Sequence, residues 1–182
     1  MDRVFKRESM KIAFTGAQST GKTTLLNEMR CIVSNYTFID EITRSVAKQG
    51  VSINESGTDS TQLLIMKSHF KNSLLENTVM DRCALDGVVY TRYLYNKGQV
   101  TDSVMDYAEQ LFESVIETYD YIFYLIPEFD IVNDGVRSTN TDFRNQIVDL
   151  FNEYIQECEV PVIRLTGSLQ ERVTQIKETI NE

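Results

Sequence analysis

The sequence predicts an α/β fold: a five-stranded, mostly parallel sheet with helices on both faces and a lid segment. Two observations carry this. Short apolar runs alternate with segments of helical period along the chain, and parallel strands buried on both faces read as such runs joined by crossover helices. The second is size: 182 residues with 42% apolar content bury about 70% of the unfolded surface in one domain, so no staple is required. Cys31, Cys83 and Cys158 show no CxxC or Cys/His spacing and His69 is the single histidine, which predicts neither a disulfide framework nor a structural metal.

The first strand is Lys11–Thr15 (KIAFT), an apolar run that ends at Gly16. Leu25, Leu26, Met29, Ile32 and Val33 then recur on one stripe of a 3.6-residue period, which predicts a helix. Residues 36–40 (YTFID) and 77–81 (NTVMD) are the second and third strands, each closing on a carboxylate. Residues 121–126 (YIFYLI) are the fourth, halted by Pro127, and residues 160–165 (VPVIRL) the fifth.

Helical spacing fills the gaps. Asp59 is a candidate cap for a helix carrying Leu63, Met66, Phe70 and Leu74. Leu85, Val88, Val89 and Tyr93 mark a separate segment. Val104, Met105, Ala108, Leu111, Phe112, Val115 and Ile116 form the cleanest amphipathic stripe; Phe143, Ile147, Leu150, Phe151, Tyr154 and Ile155 form another. Ser168 with Glu171 makes a capping box for the last helix. His69 projects off the Leu63/Phe70 stripe and is expected at a solvated or cleft-edge position. Arg92 projects within its stripe and needs a partner.

Met10 immediately precedes the first strand, so residues 1–9 are expected to be a flexible extension and residues 10–182 a single domain. Residues 127–141, polar with Gly135 and no apolar period, suit the lid. No run approaches the ~18–20 apolar residues of a membrane span, and residues 1–9 lack a signal-peptide core; a cytoplasmic protein with no membrane partner is expected. The net charge of −9, from 18 basic and 27 acidic residues, argues against wide docking on nucleic acid but leaves a local basic groove open. Nothing predicts the oligomeric state.

Residues 16–23, GAQSTGKT, fit GxxxxGK[ST] at every constrained position, after a predicted strand and at the start of a predicted helix. The fold class sharpens to a P-loop NTPase three-layer sandwich. Glycines let the backbone close around phosphates, so Gly16, Gln18, Ser19, Thr20, Gly21, Lys22, Thr23 and Thr24 are the expected nucleotide cradle. Lys22 is expected to bridge the β- and γ-phosphates, and the Thr23 hydroxyl to complete a Mg2+ shell. The ligand is Mg·ATP or Mg·GTP, with ATP and Mg2+ the leading reading. A guanine switch is disfavoured, because the only Asn-Lys pair, Asn96-Lys97, lacks the Asp of NKxD.

Two strands compete to supply the carboxylate beside the phosphates. Phe38-Ile39-Asp40-Glu41 has the Asp-Glu of a hydrolase but comes about 18 residues after Lys22, early for that strand. Val79-Met80-Asp81-Arg82 is better placed, but Arg82 follows the aspartate. An arginine cannot activate water as a base; it neutralises an anionic substrate or the transferring phosphoryl group. This favours transfer over hydrolysis.

Together the P-loop, the Asp81-Arg82 pair and the segment Asp134-Gly135-Val136-Arg137-Ser138 resemble the P-loop nucleoside and nucleotide kinases, most nearly the ribosylnicotinamide kinase domain of NadR-type proteins and the related AAA_28 ATPase/kinase family. The likeness spans about residues 11–176. It implies that Asp40 or Glu41 contacts the acceptor or acts as its base, and that Asp81 lies near Mg2+ or the acceptor hydroxyl. Arg137 would close a lid over the phosphates, and the 166–168 loop would border adenine. By position alone, Arg82 is expected to meet the substrate, and Arg44, just past Asp40-Glu41, to pair with a carboxylate or reach the substrate. The expected activity is ATP-dependent phosphoryl transfer to a hydroxyl or phosphate of a nucleoside-like small molecule. Two alternatives stay open: a kinase for a hydroxyl of nucleic acid or a modified DNA base, and a regulatory ATP-binding module in which Glu41 hydrolyses ATP.

Overall fold

The computed structural model describes residues 9–131 and 138–181. Five strands, β1 (Lys11–Thr15), β2 (Thr37–Ile39), β3 (Thr78–Asp81), β4 (Tyr121–Leu125) and β5 (Val162–Leu165), form one sheet in the order β2-β3-β1-β4-β5. All four pairings are parallel, so the sheet is wholly rather than mostly parallel. Seven helices connect and cover it: α1 (Lys22–Ile32), α2 (Ile42–Ala47), α3 (Asp59–Ser73), α4 (Ala84–Asn96), α5 (Asp102–Ile116), α6 (Thr141–Glu157) and α7 (Leu169–Asn181), among the described residues.

Strand alternation divides the core in two. Ile12, Phe14, Val79, Phe123 and Leu125 face α1 and α7, through Leu25, Leu26, Met29, Val173 and Ile176. Ala13, Met80, Ile122 and Tyr124 face the other way, onto α4, α5 and α6, through Val88, Ala108, Leu111, Phe143 and Ile147. Gly87 brings α3 and α4 together: a Cβ there would overlap Met66 Sδ. Parallel strands deliver their C-terminal ends to one rim, so Thr15, Ile39, Asp81 and Leu125 all lead into loops on the same edge.

Several details differ from the expectation. The second strand stops at Ile39, leaving Asp40 outside it. The cap of α3 is Thr58, which accepts the Thr61 N–H, while Asp59 accepts from Thr101 instead. Of the two expected settings for His69, solvated or cleft-edge, the second holds: it is 2% exposed, on the α3 side that packs against α4 at Gly87, and lines a cleft there. The six-residue α2 is too short to show a readable period. The Ser168–Glu171 capping box is present, and Arg92 pairs with Glu109 and Tyr154. Residues 1–8 of the expected extension, and 132–137 of the expected lid with Arg137, lie outside the described residues.

Candidate active site

The loop between β1 and α1 turns through left-handed backbone at Gly16, Ser19 and Gly21, with φ of 136°, 58° and 89°. Glycine is required at the first: a Cβ on Gly16 would stand 2.8 Å from the Leu125 carbonyl of the neighbouring strand. Lys22 opens α1 and turns back into the loop. Its Nζ donates to the carbonyls of Gly16 at 2.8 Å and Ala17 at 2.6 Å, and to Thr20 Oγ1 at 3.2 Å. Burial, with Arg82 nearby, pushes this ammonium down to about 7. The Thr20 hydroxyl bonds Ala17 O at 3.0 Å and braces the same turn.

Thr23 faces β3, where its hydroxyl donates to Asp81 Oδ2 at 2.6 Å. Asp81 is 1% exposed, and its Oδ1 has no hydrogen-bond partner among the described residues. Burial, then the negative charge of Glu41, raises its carboxyl above the usual range, against the pull of Lys22, Arg82 and the Thr23 bond. Such an orphaned buried oxygen beside a threonine hydroxyl is the donor chemistry that a hard divalent cation takes.

Arg82 is the hub. Its backbone is left-handed, φ 77°, an uncommon state for a non-glycine residue, and its N–H is anchored on Phe14 O at 2.9 Å. Its Nε donates to Glu41 Oε1 at 2.7 Å and its Nη1 to Asp86 Oδ1 at 3.0 Å. The guanidinium lies 5.1 Å from the Tyr90 ring centroid. Burial opposes its charge, but Tyr90, Glu41, Asp86 and Asp81 outweigh that, so it stays protonated. Arg44 Nε reaches the other Glu41 oxygen at 3.1 Å. Asp86 accepts from Thr15 Oγ1 at 2.7 Å and from the Cys83 N–H at 3.0 Å.

Three buried carboxylates, Glu41, Asp81 and Asp86, thus meet two buried cations, Lys22 and Arg82. The excess is negative. Gln18 borders the cluster, its Oε1 accepting from Tyr90 OH at 3.4 Å while its buried Nε2 has no partner among the described residues. Arg144 on α6 is 8% exposed with its Nε and Nη2 likewise unpartnered.

The structure therefore brings together Gly16, Gln18, Ser19, Thr20, Gly21, Lys22, Thr23, Glu41, Arg44, Asp81 and Arg82. It leaves Asp40 apart: that side chain is 73% exposed and pairs with Arg30 at 2.6 Å. Thr24 lines a cavity of about 420 Å3 with Ser19, Gly21, Leu25, Phe129, Asp130, Leu169 and Arg172. A second cleft runs beside Arg82 and Asp86, lined by Thr43, Asn54, Gln62, Ile65, His69, Gly87 and Tyr90. The sequence reading passes over Asp86, although its spacing of four residues from Arg82 on one helix start is a readable signal. No group of three His, Cys, Asp or Glu side chains suited to a metal occurs among the described residues, and none of their helices is long and apolar enough to cross a membrane.

Comparison with known proteins places this geometry. A family model described as an AAA domain, AAA_28, matches residues 11–172. A deoxyadenosine kinase from M. mycoides, solved with dCMP and dCDP, superposes with a TM-score of 0.69 at 15% identity, over 93% of this chain and 98% of that one. The NadR protein in complex with NR gives 0.72 at 18%, over 93% of this chain and 51% of that one, so this chain spans about half its length. Thymidylate kinase from Candida albicans gives 0.66 at 15%, over 96% and 92%. No curated protein matches in sequence. The fold is that of the P-loop nucleoside and nucleotide kinases.

Proposed function

We propose that this chain, which belongs to the AAA_28 family of AAA domains, transfers the terminal phosphoryl group of Mg·ATP to a hydroxyl or phosphate of a nucleoside-like small molecule. The observation that carries the reading is the placement of Glu41, 8% exposed, on Arg82 Nε at 2.7 Å, beside the Thr23–Asp81 pair. Among the described residues, the buried acids near the P-loop share the rim with Arg82 and Arg44, an arrangement suited to gripping an anionic or hydroxylic acceptor. The kinases of similar fold bind nucleosides and nucleotides as their names state.

Each residue then has a task. The amides of residues 16–23 and Lys22 would hold the phosphates, Lys22 exchanging its loop carbonyls for phosphate oxygens. Thr23 and Asp81 would hold Mg2+, which when bound neutralises charge on the phosphate oxygens; the unpartnered Asp81 Oδ1 supports that assignment. Glu41 would accept the proton of the acceptor hydroxyl as its oxygen bonds the γ-phosphorus and the bond from that phosphorus to the bridging oxygen of ADP breaks. Arg82 and Arg44 would orient Glu41 for this step and offer positive charge to the transferring group. Asp40 contributes no contact to this set. The 420 Å3 cavity beside Thr24, close to the 166–168 loop, has room for the donor base.

The test is an acceptor panel. Nicotinamide riboside, nucleosides and nucleoside monophosphates are incubated with Mg·ATP and the protein, and phosphorylated product is read by mass. A product from at least one class is expected; ATP consumption that is indifferent to every acceptor, with no product, overturns the proposal.

A further inference from the structure

Arg172 belongs to α7, yet it is 2% exposed. Its Nη1 donates to the Thr20 carbonyl of the P-loop at 2.6 Å. Its Nη2 donates to Glu128 Oε2 at 2.8 Å and to the Ile126 carbonyl at 3.4 Å. The Gly167 N–H reaches the same Glu128 oxygen at 2.7 Å. The Arg172–Glu128 pair therefore ties three loops of the rim together: β1–α1 and β4–α6 through the guanidinium, and β5–α7 through Glu128. A buried arginine is a costly way to pack a helix, since an apolar residue of similar volume often serves stability as well or better.

The partner on the P-loop is informative. The Thr20–Gly21 peptide is trans and planar, so directing its carbonyl toward α7 sends the Gly21 N–H the opposite way. Local sequence does not hold that plane: glycine takes both signs of φ with similar ease, and the Thr20 side chain is engaged elsewhere, on Ala17 O. The Arg172 hydrogen bond on the Thr20 carbonyl is available in one of the two orientations and lost in the other.

We infer that Arg172 is a positioning residue for the nucleotide: by holding the Thr20 carbonyl it keeps the Gly21 N–H turned to the phosphate side of the loop, with Glu128 fixing the guanidinium. This rests on reading residues 16–23 as a nucleotide cradle. Arg172 touches no reacting atom; it also lines the 420 Å3 cavity, and its action on the phosphate cradle runs through the backbone of the loop, which the Gly21 amide reads separately from any contact with the base.

The test titrates Mg·ADP calorimetrically into wild type, Arg172→Met, Arg172→Lys and Glu128→Gln, and follows the Gly21 amide by 15N NMR in each nucleotide-free protein. Wild type is expected to bind, Arg172→Met about tenfold more weakly, Glu128→Gln about threefold, and Arg172→Lys between these. The Gly21 resonance of Arg172→Met broadens or doubles as the peptide samples two orientations, a signature that general loss of packing does not confine to one amide. Folded Arg172→Met with wild-type affinity and a single sharp Gly21 amide overturns the inference. If that variant does not fold, Glu128→Gln decides, and unchanged affinity there overturns it equally. A wild type without affinity for nucleotide instead overturns the cradle reading, and this inference with it.

Discussion

Arg82 Nε and Glu41 Oε1 meet at 2.7 Å across 41 residues of sequence, both side chains almost wholly buried at the C-terminal rim of the sheet. The pair joins the loop after β3 to the first residue before α2. A carboxylate so held has one defined orientation, which a base for a hydroxyl needs.

Glu41→Gln keeps the shape and the Arg82 contact but cannot take a proton. Turnover with a hydroxyl acceptor is expected to fall about 10^2- to 10^4-fold, with affinity for Mg·ATP close to wild type. Steady-state kinetics beside calorimetry separates the two; a variant with unaltered turnover removes Glu41 from the chemistry.

Asp81→Asn retains a hydrogen-bond acceptor for Thr23 and loses the charge a divalent cation needs. The Mg2+ concentration for half-maximal activity is expected to rise about 10- to 100-fold, measured at saturating ATP. Activity that saturates at the wild-type Mg2+ concentration would assign Asp81 a purely structural role.

Gly16→Ala places a methyl group against the Leu125 carbonyl at φ 136°. Strain of this kind costs about 1–3 kcal/mol, and denaturant unfolding should show that loss together with weaker nucleotide binding. Wild-type stability would mean that the loop relaxes away from β4.

His69 gives stability a slope on the acid side. Burial, opposed by Asp86 and reinforced by Arg82, pushes its imidazole from 6.5 down to about 4. Between these values the unfolded chain holds the proton and the folded chain does not, so acidification from pH 6.5 to 4 lowers stability, by about 3 kcal/mol from this group alone at ~1.4 kcal/mol per pH unit. Below about pH 4 its contribution is flat. His69→Gln should flatten that part of the curve in urea melts recorded at several pH values; an unchanged slope would assign the acid sensitivity to other groups.

The sheet, its crossover helices and the phosphate loop are legible because each is a local pattern: apolar runs, a 3.6-residue stripe, and glycines at fixed spacing before Lys22. The choice between Asp40 and Glu41 is not. It depends on β2 ending at Ile39, one residue before the apolar run suggests, so that Asp40 turns to solvent and Arg30 while Glu41 turns inward. Element ends are the least readable part of a sequence because fraying and tertiary contacts fix them. His69 and Asp86 are hidden for another reason. His69 is buried by α3 packing onto α4, and Asp86, although its spacing of four from Arg82 is legible, gains its second partner from Thr15, 71 residues away; neither long-range contact leaves a periodic trace. Arg172 reads as one more polar residue on the last helix until Thr20 is brought beside it.

Transfer and hydrolysis differ in where the phosphorus goes. 31P NMR of Mg·ATP incubated with the protein and the acceptor panel follows that directly. Growth of a phosphomonoester or diphosphate resonance on one acceptor class, matched by ADP and abolished by Lys22→Ala, is the predicted result. Inorganic phosphate appearing at the same rate with and without acceptor, and no new ester, would contradict it.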